Sequence, residues 1–142
     1  MIGRIKLIAS ALLVATSVAA DGQSLLDGRL AEPAFVKFHN GIRTCLKSTR
    51  PDCLTQYLDP AFAFHPWWQP GGAPAPRAEF ARFAWQTTPT GAKESLWKAI
   101  ERVFTSGRLR VLDGGVLFYD DRIECRAYEL RDAYLMTSCY AP

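Results

Sequence analysis

Four cysteines, Cys45, Cys53, Cys125 and Cys139, fall in two well-separated pairs along a chain of 142 residues. In a short exported chain an even number of thiols is most simply a set of disulfides, and two such cross-links restrict the fold more than any other feature of this sequence. Four cysteines allow three pairings, and the spacing favours one of them. Cys45 and Cys53 bracket Lys47-Ser48-Thr49-Arg50-Pro51-Asp52, which reads as a tight connection between two helices. Cys125 and Cys139 are equidistant from Asp132, the expected tip of a hairpin, and a three-residue loop there sets them face to face on neighbouring strands. Zinc is the competing use of four thiols. It needs closely spaced ligand pairs, which gaps of seven and thirteen residues do not supply. Neither a metal nor another cofactor is expected.

The compartment is read from residues 1–20, which have the form of a secretory signal peptide. Arg4 and Lys6 make a positive start, Leu7 to Val14 a short apolar run, and Ser17-Val18-Ala19-Ala20 a small-residue cleavage region before Asp21. Cleavage near Ala19 or Ala20 delivers a periplasmic or secreted protein. No cysteine at the cleavage region marks a lipid anchor, and no apolar run reaches the roughly 18 residues of a membrane span, so stable membrane insertion is not expected. Without the leader, 15 basic residues face 14 acidic ones. Near neutrality, with no clustered basic face, argues against a nucleic-acid partner.

Residues 21–32 form a polar lead-in expected to be flexible, and 33–142 a single domain. Phe35, Phe38, Ile42, Cys45 and Leu46 repeat at helical spacing behind Pro33, a residue suited to a first helical turn. Asp52 can cap a short second helix carrying Cys53, Leu54, Tyr57 and Leu58, which Asp59-Pro60 ends. Ala61 to His65 alternates as a strand does. A proline- and glycine-rich loop from Pro66 to Pro76 follows, then helical patterns over Arg77–Gln86 and from about Lys93 to Ser106, stopped by Gly107. The remainder reads as a meander: Arg108–Leu112, a turn at Asp113-Gly114-Gly115, Val116–Tyr119, a turn at Asp120-Asp121, Arg122–Leu130 and Ala133–Tyr140. In the symmetric register of the last hairpin, Tyr128 faces Met136 and Leu130 faces Tyr134. The expected fold class is α+β, with helices packed on a curved antiparallel sheet that ends in a β-meander and carries two disulfides.

Leu54-Thr55-Gln56-Tyr57-Leu58-Asp59-Pro60-Ala61-Phe62-Ala63-Phe64 resembles the short helix and first strand of the nuclear transport factor 2-like superfamily, which includes ketosteroid isomerase-like and polyketide cyclase-like domains. The Gly71-Gly72 loop followed by Arg77-Ala78-Glu79-Phe80-Ala81-Arg82-Phe83 is similar to the next helix of that pattern. The resemblance covers roughly residues 33–140, with the Lys93–Ser106 helix and the four cysteines as departures. It implies a pocket between sheet and helices, in which some members use Asp, His or Tyr for proton transfer.

Two histidines, His39 and His65, are the available acid–base groups. Packed structural roles suit them best. If the resemblance holds, either can share a pocket with Tyr128 or Tyr140. Eight aromatic rings lie between Tyr57 and Trp85, most of them at core spacing. Trp67 and Trp68 differ, because adjacent residues of an extended segment cannot both point inward; with Phe64 they form the candidate ligand-binding group. Asp113, Asp120 and Asp121 read as turn residues rather than a cation site. Phosphate-binding loops, nucleophile elbows and zinc-protease motifs are absent from the sequence. The favoured reading is an exported binding domain for a small apolar or aromatic molecule, or for an exported protein partner. The alternatives are an isomerase- or cyclase-type enzyme with a His/Tyr pocket, and a periplasmic inhibitor or assembly protein acting through its sheet edge or surface aromatics.

Overall fold

The computed structural model describes residues 22–64, 75–85 and 94–140. The leader, the tryptophan loop and residues 86–93 lie outside them. Residues 22–30, within the polar lead-in, are helical (α1). At the end of this helix the Arg29 guanidinium donates to the Tyr134 hydroxyl and ties α1 to the last strand.

Helix α2, Pro33–Ser48, starts on its proline and buries Phe35, Phe38, Ile42, Cys45 and Leu46. It ends at Thr49, whose left-handed φ of 55° lets its N–H reach the Leu46 carbonyl. Helix α3, Pro51–Thr55, follows at once, and the Cys45–Cys53 disulfide joins the two. Asp52 does not cap α3. It sits in the first turn and pairs with Arg50, the residue at the cap position. Gly41 keeps α2 bare where the Tyr57 ring passes, since any Cβ there would meet the ring.

Strand β1, Leu58–Phe64, begins earlier than expected and includes Pro60. After the two-residue β2, Ala75–Pro76, a 3-10 turn at Arg77–Glu79 leads into α4, Phe80–Phe83. Helix α5, Leu96–Ser106, is capped by the Ser95 hydroxyl, which accepts from the Lys98 N–H. Its apolar side, from Leu96 and Trp97 to Val103 and Phe104, is buried. Strands β3 (Arg108–Leu112), β4 (Gly115–Tyr119), β5 (Glu124–Leu130) and β6 (Ala133–Tyr140) complete the chain's α+β fold.

The sheet order is β2-β1-β6-β5-β4-β3. The meander β3 to β6 is antiparallel, whereas β1 runs parallel to β6, so the curved sheet is mixed. Helices α2 and α5 pack on one face, over Val116, Phe118, Cys125, Ala127, Met136 and Cys139.

The second disulfide is Cys125–Cys139, with Cα atoms 4.1 Å apart, the close spacing of an antiparallel pair that exchanges no hydrogen bonds. The hairpin around it differs from the expected symmetric form. Its turn has two residues, Arg131 and Asp132, both in the left-handed region with φ of 52° and 64°. That turn fixes Leu130 opposite Ala133, Glu129 opposite Tyr134 and Ala127 opposite Met136. Thr137 is then the extra residue of a bulge, and beyond it Arg126 opposes Ser138 and Cys125 opposes Cys139. The bulge reconciles a two-residue turn with the disulfide register. It also puts Tyr134 and Met136 on the core face with Cys125 and Cys139, whereas the symmetric register groups them with Tyr128 on the opposite face.

Candidate binding surfaces

The space between helices and sheet is occupied by rings. Phe104 stacks on Phe118 at 4.2 Å between centroids, Phe35 meets Tyr134 edge-on at 5.4 Å, and Phe38 fills the area between them. His39 projects from α2 into this group, 5.6 Å from the rings of both Phe35 and Phe118. Its Nε2 makes a long hydrogen bond of 3.4 Å to the Phe104 carbonyl, which can only accept, so Nε2 carries the proton. Burial pushes the imidazole below its ordinary pKa and Arg43 adds to this, while the Phe104 carbonyl opposes it.

The expected partners of His39 are elsewhere. Tyr128 stands opposite Gly115 and Leu135, in the same row as Leu112. Tyr140 stands opposite Glu124, in the row of Tyr119 and Arg108. By strand alternation these rows belong to the sheet face away from α2, because their neighbours Phe118, Cys125 and Ala127 face the core. The structure therefore places Tyr128 and Tyr140 on the opposite face from His39. Phe64 ends β1, and its backbone pairs with Ala75 and Cys139. His65, Trp67 and Trp68 lie outside the described residues.

A different tyrosine, Tyr134, holds a part-buried polar cluster. The Tyr134 hydroxyl accepts from Arg29 Nη1 at 2.8 Å and donates to Glu32 Oε2 at 2.8 Å, and Arg29 lies 3.4 Å from Glu32 Oε1. Burial and the Glu32 carboxylate raise the phenol pKa, against the opposing pull of Arg29. Sequence reasoning missed this cluster, because its members are more than a hundred positions apart. The i,i+3 pairing of Arg29 with Glu32 was its one local signal.

The turn aspartates are held by turn chemistry. Asp120 Oδ1 accepts from the backbone N–H groups of Arg122 and Ile123, and its other oxygen from Arg102. Burial works to raise its pKa, but the Arg102 bond and the two N–H groups outweigh this and hold it low. Arg102 also bonds Glu94, and Asp121 pairs with Arg108. Among the described residues no three His, Cys, Asp or Glu side chains gather as a metal site would require.

One cleft among the described residues lies at the sheet's edge. It has a volume of ≈ 450 Å³, within the range of about 300–1,000 Å³ usual for ligand sites. Leu25 and Arg29 of α1 make one wall, and the consecutive stretch Arg110–Gly114 makes the other. Leu25 is exposed at its lip. Arg110 has no ion pair among the described residues. Asp113 is the acidic group of the wall, in a turn where Gly114 takes a φ of 73°. Nor is any described helix long and apolar enough to cross a membrane. Compared with known proteins, the chain matches no protein-family model and no curated protein sequence.

Proposed function

We propose that this chain is an exported binding domain, stapled by two disulfides, that meets its ligand on its surface and not in an enclosed catalytic pocket. The observation that carries this reading is the filled interior: His39 is packed among Phe35, Phe104 and Phe118, with a backbone carbonyl as its hydrogen-bond partner. Among the described residues no carboxylate or hydroxyl bonds this histidine to relay a proton. Two disulfides fit an oxidising compartment, and the sequence of residues 1–20 supplies the export signal. The element order, helix, short helix, strand, helices and meander, supports a nuclear transport factor 2-like architecture whose usual pocket has been filled by aromatic side chains. Trp67, Trp68 and Phe64 are the first candidates for ligand contact, with a small ring-bearing molecule or an exported protein as the ligand.

The test is capture from an extract of exported proteins together with fluorescence titration against small aromatic compounds. Trp67→Ala or Trp68→Ala should weaken the binding found and leave thermal melting nearly unchanged. Turnover of any compound that disappears in His39→Gln or His65→Gln would replace this reading with the isomerase or cyclase one.

A further inference from the structure

We propose that the cleft between α1 and β3 binds an extended, acidic segment of a partner protein, which adds to the sheet as a strand beside β3. This rests on the binding-domain reading and names the partner's chemistry.

Strand β3 is the last in the sheet order, so among the described residues one of its sides has no neighbour. Which of its backbone groups face that side follows from one bond. The Glu129 N–H donates to the Gly114 carbonyl at 3.1 Å, as happens when Gly115 and Tyr128 form a pair without direct hydrogen bonds. The N–H and C=O of Gly115 must then point to β3, which makes Leu112 and Gly115 a hydrogen-bonded pair. Alternation leaves the N–H and C=O of Val111 and Leu109 directed outward from the free edge. Val111 lines the cleft whose far wall is α1, and Leu109 continues the same free edge just beyond it. An extended peptide entering there finds main-chain partners along β3, as in other cases of strand addition.

The side chains define the sequence it would carry. On the sheet's outer face β3 presents Arg108 and Arg110, and Arg126 lies in the same row as Arg110, two strands further in. Arg108 is engaged by Asp121 and the Tyr119 ring, whereas Arg110 has no counter-ion among the described residues. On the other face, Leu109 and Val111 are half-buried and Leu25 is exposed nearby. Glutamates at alternate positions of the guest would stand opposite the arginines, with apolar residues between them packed against Leu109, Val111 and Leu25. A second copy of this chain is the less favourable occupant. In the antiparallel register that pairs all of β3, Arg110 faces Arg110; one pleat toward the strand's start, Arg108 faces Arg110. Like charges directly opposite destabilise a strand pair.

The experiment uses the disulfide-bonded protein and a labelled peptide of alternating glutamate and valine, with its lysine counterpart as control. Anisotropy should show the acidic peptide binding and the lysine peptide not binding. Hydrogen exchange at the Leu109 and Val111 amides should slow only when the acidic peptide is present. Arg110→Glu should weaken binding by about tenfold, because it turns an opposite-charge pair into a like-charge one. Val111→Pro removes an outward N–H and should abolish binding while melting is retained. If the proline variant does not fold, Arg110→Glu decides the matter alone. The proposal is overturned by absence of binding, by binding insensitive to Arg110→Glu, or by concentration-dependent protection of these amides without peptide, which would assign the edge to self-association. A protein that captures a ligand through Trp67 or Trp68 but ignores the peptide overturns only the edge proposal. Catalytic turnover would overturn the reading beneath it.

Discussion

A histidine set among three phenylalanine rings is better accommodated neutral than charged, and His39 turns that preference into a dependence of stability on pH. The unfolded imidazole titrates near 6.5, and the folded one lower because of burial. Above that value both states are neutral, and the group makes no difference. As pH falls through it, the unfolded chain takes up the proton first, so stability declines down to the folded pKa and stays reduced beneath it. Melting temperatures from about pH 7.5 to about pH 5 should therefore fall further for the native protein than for His39→Phe. Parallel curves for the two proteins would show that the group contributes nothing. His39's packed setting and the turn roles of Asp120 and Asp121 were legible in the sequence, since both follow from immediate neighbours. The Tyr134 cluster was not: only the folded chain brings Arg29 and Glu32 to a residue of the last strand.

At the scale of elements, the hairpin β5–β6 shows where local patterns mislead. Cys125 and Cys139 imply a symmetric register, and alternation carried from there puts Tyr134 on the face opposite the cysteines. The chain instead makes the tighter two-residue turn and inserts Thr137 as a bulge, so the alternation changes sense midway. Neither event has a sequence signature, because Arg131-Asp132 lacks the Asn-Gly chemistry that announces such turns. That absence can be tested. With both central residues at positive φ, Arg131→Asn combined with Asp132→Gly should stabilise the fold by about 1 kcal/mol, read as a rise of several degrees in melting temperature. A loss of stability would mean that the arginine and aspartate side chains do more than occupy the turn. The α2 helix was readable because its buried residues keep an unbroken helical period, and the four meander strands because turn residues separate them. Helix α1 was not, since it docks through Leu30 and through the Arg29 bond to a tyrosine more than a hundred positions away.

Across the whole molecule, the two cross-links differ in reach. Cys45–Cys53 closes a separation of 8 residues within the helical layer, and Cys125–Cys139 one of 14 within the sheet. Loop-closure entropy grows with the enclosed length, so replacing Cys125 and Cys139 together by alanine should cost about 3 kcal/mol in chemical denaturation, and replacing Cys45 and Cys53 somewhat less. The reverse order would place the stabilisation in packing, not in chain entropy. The pairing and fold class could be read from spacing. The sheet order could not, because nothing in β1 announces that its partner is β6.

That order has a consequence in time. Strand β6 comes after every other described strand in the chain, yet it lies between β1 and β5 in the sheet. As the chain is synthesised, α2 and α3 can form early, and β3 to β5 can zip locally. The two halves have no strand to join them until β6 arrives. Assembly of the sheet is thereby deferred until the last strand has emerged.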